Sequence, residues 1–541
     1  MTVFEAVAAQ IRTEGVRAVF GLMGDGNLKL IPTLTATHGI PFHGARHEGG
    51  AVAMADGYAR STGEVGVCTF TQGPGLTNAL TALVSAQRGR VPMVVVCGDT
   101  PRAVVGLPQD IEQAPFFAAC GIAVQEVAPA TAHRDVAAAF RRARVERRPI
   151  ALNLPTDEQE EAALDEPCAP DRTPVPVRRT LPDLGPALRA IAAAERPVVI
   201  GGRGAVEAGA REELVALADH VGALLATSLP ANGWFSGHPY AVGIAGGFAS
   251  DLGLELIGDA DCVVAFGAGL NHFTSRGGTL FPDATVVQVD LDDEAFGRFV
   301  PTAVGVVGDA GVVATALRDA LPSSAGYRTP GIAERIAAHR DEAPDESGDD
   351  GLDPRALSRA VAGLLPADRT LVVDGGHFMG FPSMGIPVDE PSRFVFTLDF
   401  GSIGLGIGAA VGAAVGHPDR VTVAAVGDGG LMMSLGELDT AVRYRLPLLV
   451  VVYNDEAYGA ELHFLRMSGL PEAESRLATP PLDAVARAMG ADGLAVRSLA
   501  DLDGLRERLA DGLDGPLLLD CRVTERVRAA WLEEAFDRGT H

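Results

Sequence analysis

The chain has 541 residues, a formal net charge of −26, and a composition that is 47% hydrophobic and 21% charged. These values predict a globular protein of about three domains; the acidic charge argues against nucleic-acid and anionic-membrane partners, and the single lysine, Lys29, disfavours pyridoxal phosphate chemistry. The six cysteines have no metal-site spacing, no apolar run is long enough for a membrane span and no signal pattern opens the chain, so we expect a cytoplasmic protein.

Residues 1–160 alternate strand and helix patterns and are predicted to form an N-terminal domain. Apolar runs at 16–20, 65–70 and 91–97 read as strands, and the second enters the turn Gln72-Gly73-Pro74-Gly75. The continuous β-branched run at 91–97 is typical of a strand covered on both faces, which indicates a doubly wound parallel sheet. A Pro-rich, acidic stretch at 155–182 reads as a linker.

A second α/β unit is predicted over residues 183–325. Its strands are expected near 197–200, 263–269 and 286–290, and a glycine turn, Gly201-Gly202-Arg203-Gly204, follows the first of them. The turn lacks the full GxGxxG spacing, so a structural turn is favoured over a nucleotide cradle. A polar linker at 322–353 separates this unit from the next.

The third unit, predicted over residues 354–525, echoes the first in size and strand pattern. Strands at 421–426 and 448–453 flank a helix, which Ser434 and Glu437 are predicted to open as a capping box. The tail at 524–541 has a helical pattern. The fold class is therefore α/β, with three doubly wound parallel-sheet domains.

Two acids follow the two strands of the third unit. Asp428 comes directly after the first strand and Asp455 comes after the second. Because a right-handed crossover puts the carboxyl ends of both strands at one sheet edge, the acids should lie together there. Such hard oxygen donors suit Mg²⁺ or Ca²⁺ completed by phosphate oxygens. The alternative from spacing alone is a pair of loop carboxylates without a ligand.

The spacing Gly-Asp-Gly, twenty-four residues, Asn-Asp resembles the thiamin diphosphate motif of the pyruvate decarboxylase and acetolactate synthase family. The resemblance implies that Asp428, Asp455 and the carbonyl of Ala457 hold Mg²⁺ on the diphosphate. Asp455 stands where the family usually has Asn. Four further residues of this stretch are implied to contact the cofactor: Gly427, Gly429, Gly430 and Tyr458.

Glu48 lies in a block, His47-Glu48-Gly49-Gly50-Ala51, that resembles the family's His-Glu-x-x-Ala segment. The resemblance makes Glu48 the catalytic glutamate, which drives the aminopyrimidine of the cofactor to its imino form. Gly73 and Asn78 resemble the family's Gly-Pro-Gly-x-x-Asn turn near the pyrimidine. Without the resemblance, a lone Glu at such a turn is a solvated helix cap.

Two more segments resemble cofactor-binding parts of the family. Gly401-Ser402-Ile403-Gly404 matches the segment whose apolar residue, here Ile403, bends the cofactor into a V. Gly376, His377 and Phe378 lie in a stretch that matches the loop contacting the diphosphate. The alternative for Ile403 is an ordinary core residue.

Three residues bear on the reaction. Asp25 matches the active-site aspartate of the decarboxylases, and Glu461 matches their C-terminal catalytic glutamate; the alternatives are a turn Asp and a surface Glu. The paired histidines of pyruvate decarboxylases are absent, and Gln109 followed by an acid looks more like the Phe-Gln-Glu segment of the synthases.

The resemblance implies an enzyme that uses thiamin diphosphate and Mg²⁺ to decarboxylate a 2-oxo acid, to ligate it, or both. The alternatives are an acetolactate synthase-like transferase joining two 2-oxo acids and, more remotely, a non-catalytic nucleotide-binding relative. FAD is not expected. In the family, active sites form between two subunits, so a homodimer, commonly paired into a dimer of dimers, is implied.

Overall fold

The computed structural model describes residues 1–102, 106–173, 181–339 and 343–537. These residues form three six-stranded sheets in which the paired strands run parallel. No helix in the described ranges is long and apolar enough to cross a membrane. The predicted α/β class is therefore confirmed.

The first sheet has the order β2-β1-β3-β4-β6-β5. Its elements are α1 (Val3–Thr13), β1 (Val19–Gly21), α2 (Leu30–Pro32), β2 (Phe42–Gly44), α3 (Glu48–Thr62), β3 (Gly66–Phe70), α4 (Pro74–Arg88), β4 (Met93–Asp99), α5 (Gln113–Ala119), β5 (Ala123–Glu126), α6 (Ala132–Glu146) and β6 (Pro149–Pro155), with a π-helix at Thr33–Thr37 and a 3-10 turn at Asp25–Asn27.

The second sheet has the order β12-β11-β10-β7-β8-β9. Its elements are α7 (Gly185–Ala192), β7 (Pro197–Gly201), α8 (Arg203–Glu207), α9 (Arg211–Val221), β8 (Leu224–Thr227), β9 (Ala241–Ile244), α10 (Asp251–Gly258), β10 (Cys262–Phe266), α11 (His272–Ser275), β11 (Thr285–Asp290), β12 (Val304–Val307) and α12 (Ala310–Ala320), with 3-10 turns at Leu229–Ala231, Arg276–Gly278 and Asp293–Ala295.

The third sheet, β14-β13-β15-β16-β18-β17, repeats the strand order of the first. Its elements are α14 (Pro354–Leu364), β13 (Arg369–Val373), α15 (Gly380–Gly385), β14 (Phe394–Phe396), α16 (Gly406–Gly416), β15 (Val421–Gly427), α17 (Asp428–Met433), α18 (Gly436–Arg443), β16 (Leu448–Asn454), α19 (Gly459–Met467), α20 (Leu482–Ala488), β17 (Asp492–Val496), α21 (Leu505–Ala510), β18 (Leu517–Arg522) and α22 (Ala530–Asp537), with 3-10 turns at His377–Met379, Pro391–Arg393, Ala473–Ser475 and Leu499–Leu502.

Alternate residues of the central strands enter different cores, as a sheet covered on both faces requires. Val94 and Val96 of β4 join one core cluster, whereas Val95 and Cys97 join another. The second of these clusters also contains residues of α3, α16 and the third sheet. One apolar core is therefore shared by the N-terminal and C-terminal units of the chain.

Helices α3 and α16 pack face to face inside this shared core. The sequence of α16, GIGAAVGAAVG, is apolar on every side, as a fully buried helix must be. A Cβ at Gly412 would overlap the carbonyl oxygen of Met54, and one at Gly57 would overlap that of Ala409. Glycine therefore allows the two backbones to touch at these positions.

Three local predictions differ from the structure. The helix after β15 begins at Asp428 itself, and Ser434 ends it rather than capping the next helix. The carboxylate of Glu437 instead bonds the N-terminal unit. The linker predicted at 322–353 contains a helix, α13 (Pro330–Ala338), because Thr329 caps it and Pro330 suits its first turn.

The other two irregular stretches are partly described. In the linker predicted at 155–182, Gln159 is buried and donates from Nε2 to the Gly26 carbonyl at 2.9 Å, so this part packs on the first unit. Residues 174–180 of that linker and 340–342 of the next lie outside the described residues. The tail contains α22, and 538–541 also lie outside.

Candidate active site

Asp428 and Asp455 lie at the carboxyl edge of the third sheet. Strands β15 and β16 are neighbours, with Gly427 opposite Tyr453. Asp428 is therefore the first residue beyond one strand, and Asp455 follows the end of the other. Asp428 is buried, and its Oδ2 accepts a hydrogen bond from Thr479 Oγ1 at 2.7 Å.

The loop after β16 has a fixed, unusual conformation. Glu456 adopts a left-handed φ of 53°, which is uncommon for a residue with a side chain. Its amide donates to Asn454 Oδ1 at 3.1 Å, and the Ala457 amide donates to Asp455 Oδ1 at 3.2 Å. Two Asx-type bonds thus hold Asp455 and Ala457 in place.

Burial changes the acidity of both carboxyls. It raises the pKa of Asp428 to about 6. Burial, followed by the charge of Asp428, raises the pKa of Asp455 to about 8. Two neighbouring carboxylates repel each other when both are ionised. A divalent cation between them offsets this repulsion, and its preference for oxygen ligands suits the two side chains.

The donor set fits Mg²⁺ held together with phosphate oxygens. Within the described ranges, no group of three or more His, Cys, Asp or Glu side chains is placed to hold a metal. Two carboxylates and the carbonyl of Ala457 would leave coordination positions for a phosphorylated ligand and water, which is how Mg²⁺ commonly binds.

A cavity of about 330 Å³ opens beside Asp428. Gly429 forms part of its wall. A Cβ at this position would stand 2.8 Å from the Tyr458 ring. Its lining is mostly apolar and consists of Gly429, Met432, Met433, Tyr458, Leu477, Ala478, Thr479 and Pro480. The cavity therefore has mostly apolar walls, and Thr479 on its wall bonds the buried carboxylate of Asp428.

Asp374 holds the segment that contains Ile403. It is buried at the end of β13, and its Oδ2 accepts from the Gly404 amide at 2.8 Å while its Oδ1 accepts from Thr397 Oγ1 at 3.2 Å. Ile403 is half-buried. Sequence analysis matched the stretch that begins at Asp374 to the loop contacting the diphosphate but gave Asp374 itself no role; the available signal was an acid directly after a buried strand.

His377 lies beneath the C-terminal segment. Its Nε2 accepts from the Ala529 amide at 2.9 Å, and its carbonyl accepts from Trp531 Nε1 at 3.3 Å. Burial lowers the pKa of His377 well below its usual range and that of His463 to about 4. Both rings, 4.4 Å apart, are therefore neutral near pH 7.

The glycine and aromatic neighbours of His377 are also fixed. Gly376 has a φ of 139°, a value that favours glycine, at the start of the 3-10 turn. Phe378 stacks on Tyr453 with ring centroids 5.2 Å apart. The loop is consequently anchored to β16, the strand that leads to Asp455.

Glu48 and Asn78 come together in the N-terminal unit. Glu48 is the first residue of α3 and is only 7% exposed, and its Oε2 accepts from Asn78 Nδ2 at 3.1 Å. The burial of Glu48 excludes the solvated-cap interpretation. Within the described residues, no hydrogen bond or ion pair joins Glu48 to Asp428 or Asp455.

Three family models match the chain in order. They are the N-terminal thiamine pyrophosphate binding domain over residues 1–118, the central domain of thiamine pyrophosphate enzymes over 184–317 and the C-terminal binding domain over 374–521. The chain belongs to the thiamine pyrophosphate enzyme family.

Relatives of this thiamine pyrophosphate enzyme carry several activities in their names. A probable 2-ketoarginine decarboxylase of Pseudomonas aeruginosa is 32% identical, over 96% of this chain and 94% of the relative. A putative acetolactate synthase large subunit of Mycobacterium tuberculosis is 30% identical, over 97% of this chain and 98% of the relative. A sulfoacetaldehyde acetyltransferase of Castellaniella defragrans is 30% identical, over 94% of this chain and 91% of the relative.

The fold also matches a solved thiamine pyrophosphate enzyme. The Rhodococcus jostii thiamine diphosphate-dependent 4-hydroxybenzoylformate decarboxylase superposes with a TM-score of 0.83, at 22% identity, over 97% of this chain and 99% of that chain. The family and the three-domain α/β fold expected from the sequence are thus confirmed. Like these relatives, the chain belongs to the part of the family that contains decarboxylases and acetolactate synthase-like enzymes.

In this thiamine pyrophosphate enzyme, Gln113 rather than Gln109 holds the Gly73 turn. The buried Gln113 accepts from the Gly73 amide at 3.0 Å and donates from Nε2 to the Gly98 carbonyl at 2.9 Å. Gln109 contributes its backbone carbonyl, which a Cβ at Gly73 would overlap. Sequence analysis missed Gln113, since a helix-initiating Gln carries no motif of its own.

Asp25 and Glu461 lie beside different sheets of the chain. Asp25 opens the 3-10 turn after β1, Glu461 lies in the first turn of α19, and both are exposed. In the ranges described, no hydrogen bond or ion pair joins them. A single chain therefore offers each carboxylate separately at the carboxyl edge of its own sheet.

The glycine turn of the central domain is packed rather than open. The Gly202 amide donates to the Phe266 carbonyl at 2.9 Å and the Gly204 amide to the Gly267 carbonyl at 3.0 Å. Arg203 Nη1 donates to the Gly89 carbonyl of the first domain at 2.6 Å. Donors that would face a nucleotide phosphate are thus bonded to protein.

Proposed function

We propose that this enzyme binds thiamin diphosphate with Mg²⁺ and decarboxylates a 2-oxo acid. The observation that carries the proposal is the pair Asp428 and Asp455, two close acids with raised pKa values at neighbouring strand ends. Their charge and position suit a cation bound between protein and diphosphate. When bound, the cofactor supplies a nucleophilic carbon and a cationic ring that takes up the electrons of the broken carbon–carbon bond.

The chain's own groups divide the binding work. Asp428, Asp455 and the carbonyl of Ala457 would hold the metal, and Ile403, fixed through Asp374 and Gly404, would support the bent cofactor. The remaining contacts to the diphosphate and ring systems are assigned to backbone and side-chain groups of Gly73, Asn78, Gly376, His377, Phe378, Gly401, Gly427, Gly429, Gly430 and Tyr458.

Glu48 would supply the proton-handling carboxyl. It is buried, as a group that exchanges a proton with a bound ring nitrogen must be to avoid competition from water, and Asn78 Nδ2 orients its Oε2. The presence of this buried carboxyl and its bond to Asn78 also argues against the non-catalytic nucleotide-binding alternative.

The active unit is proposed to be a homodimer, further paired into a dimer of dimers. Among the residues that the structure describes, no hydrogen bond or ion pair joins Glu48 to Asp428 or Asp455 of its own chain. Apolar side chains are exposed around the two sheet edges, including Met23 and Leu28 in one domain and Met433 in the other. A second copy would cover them and bring Glu48 of one chain to the Asp428 site of its partner.

Subunit mixing tests this arrangement. Glu48→Gln and Asp428→Asn chains, each inactive alone, are co-refolded or co-expressed. If each site uses both chains, hybrid dimers contain one intact site, and random pairing restores about a quarter of wild-type activity. If each site lies within one chain, the mixture stays inactive.

The reaction proposed is aldehyde release, with carboligation as the second candidate. Asp25 and Glu461 favour release because either acid can donate a proton to the product; the relatives named as a synthase and an acetyltransferase favour ligation. A panel of pyruvate, 2-ketoarginine and 4-hydroxybenzoylformate, each with and without sulfoacetaldehyde, distinguishes the two. Aldehyde as the main product supports the decarboxylase, and ligated product alone supports the synthase-like transferase.

Two further properties of the enzyme are proposed: the limits of its three domains and the absence of FAD from the central one. We propose that residues 1–160 form the domain that binds the pyrimidine and residues 354–525 the domain that binds the diphosphate. Residues 183–325 form the central domain between them in the chain. We also propose that the central domain carries no FAD, because the amides of Gly202 and Gly204 are occupied by protein carbonyls.

A further inference from the structure

Helix α18 packs on the connection between β2 and α3. The helix belongs to the C-terminal domain, and the connection leads directly to Glu48. The hydroxyl of Tyr444, just after the helix, accepts from the Gly44 amide at 2.8 Å and donates to the Phe42 carbonyl at 3.1 Å. These bonds go to backbone atoms, so they fix the course of the chain there.

Glu437 makes the innermost of these contacts. Its side chain is 2% exposed, its Oε1 accepts from the amides of Arg46 at 3.1 Å and His47 at 3.0 Å, and its Oε2 accepts from Thr440 Oγ1 at 2.9 Å. A Cβ at Gly50 would overlap Oε1. Gly50 thus leaves room for the carboxylate against the first turn of α3.

The position of this carboxylate is electrostatically favourable. It lies before the first turn of α3, where unpaired amides give a helix its positive end. Charge-assisted bonds from two backbone amides and a hydroxyl offset the cost of burying the charge. A glutamine side chain could still accept from both amides through Oε1 and donate to the Thr440 hydroxyl, but its bonds to the two amides would lack the charge assistance of a carboxylate and would be weaker.

We propose that Glu437 is a positioning residue for Glu48. By holding the amides of the two residues that precede Glu48, the carboxylate fixes the turn from which Glu48 reaches the cofactor. The inference rests on the proposed role of Glu48. It also explains why the sequence pairs Glu437 with a glycine at position 50 in a different domain.

The first test measures the turn in the protein without cofactor. Hydrogen–deuterium exchange resolved to single amides over residues 44–50 compares wild type with Glu437→Gln and Gly50→Ala. The second variant keeps every hydrogen-bonding group but displaces the carboxylate, so it also serves if Glu437→Gln fails to fold. Both should raise the exchange rates of the Arg46 and His47 amides about tenfold or more.

Asp439→Asn is the matched control. Asp439 lies on the same helix and accepts from Arg46 Nε at 2.7 Å, but it is not bonded to the amides of the turn. Its loss removes an exposed ion pair and should leave both amide rates within about twofold of wild type. Equal rates in wild type and both test variants would overturn the proposal.

The second test separates positioning from simple structural support. With thiamin diphosphate and Mg²⁺ bound, both test variants should retain the cofactor affinity of wild type but exchange its thiazolium proton about tenfold more slowly. Unchanged proton exchange together with faster amide exchange would refute a positioning role. If wild type does not bind thiamin diphosphate, the proposed function fails, while the amide rates still decide whether Glu437 holds the turn.

Discussion

Thr479 Oγ1 donates a hydrogen bond to Asp428 Oδ2 at 2.7 Å, across the wall of the cavity beside the third sheet. The hydroxyl satisfies one oxygen of a buried acid and fixes the direction of the other. Asp428 can therefore face a cation without rearrangement. The two residues offer a graded test of the metal site.

Asp428→Asn removes a charged ligand, whereas Thr479→Val removes only its hydrogen-bond partner. Loss of such a partner should weaken Mg²⁺-dependent cofactor binding roughly 10–100-fold, and loss of the ligand should weaken it further. Isothermal titration with thiamin diphosphate at fixed Mg²⁺ measures both. Wild-type affinity in Asp428→Asn would remove Asp428 from the metal site.

Metal binding should release protons. Without metal, the pKa of Asp428 is about 6 and that of Asp455 about 8, so both carry protons over part of the range near neutrality. Mg²⁺ requires both to be ionised, and its affinity should rise as pH increases from 6 to 8. Titration calorimetry in buffers of different ionisation enthalpy counts the protons released.

Stability should follow the opposite course in the metal-free protein. The folded pKa of both acids lies above the ordinary carboxyl value, so their contribution is full below pH about 4 and is lost as pH rises through the folded values. The melting temperature should fall from pH 5 to 8.5 and recover with Mg²⁺ and cofactor. Asp455→Asn should flatten the fall above pH 7; a wild-type profile in this variant would contradict the assignment.

Glu48→Gln should bind the cofactor but slow exchange of its thiazolium proton by about 10²–10⁴-fold, because an amide cannot transfer the proton. Deuterium uptake followed by NMR after acid quench gives the rate. Glu64→Gln, an exposed site just beyond α3, is the control and should match wild type. Equal rates in all three proteins would mean that Glu48 is not the activating acid.

Glu461→Gln should shift the products from aldehyde toward ligated acid, since an exposed carboxyl at the first turn of α19 is proposed to donate a proton to the product. Chromatography after incubation with pyruvate and bulkier 2-oxo acids measures the ratio. The decarboxylase reading fails if wild type yields only ligated acid and the variant does the same.

Purified protein should lack a stoichiometric flavin. The amides of Gly202 and Gly204 are bonded to the carbonyls of Phe266 and Gly267, so the turn has no free donors at these positions for a phosphate. The visible absorption spectrum of concentrated protein, after heat release of any chromophore, checks this. A flavin in equal amount to protein would overturn the structural-turn assignment and favour the synthase-like transferase.

The sequence by itself determined the family, the α/β class and the placement of Asp428 and Asp455 at one sheet edge. The α/β class and the position of the two acids depend on local order along the chain: an apolar run predicts a strand, parallel strands end at one edge, and the acids follow directly. The family, and with it the predicted roles of Glu48, Gly73 and Asn78, came from the resemblance of short motifs, which are also local in the sequence.

Only the tertiary structure decided which residues, distant in the chain, hold these motifs in place. Gln113 bonds the Gly73 turn, Asp374 bonds the segment that contains Ile403, and Glu437 bonds the turn before Glu48 from another domain. Sequence spacing encodes contacts three or four residues apart, as in the capping box assigned to Ser434 and Glu437. In the fold, burial in the shared core turns Glu437 toward amides nearly four hundred residues away in the chain, because a buried carboxylate is stable only where several donors converge.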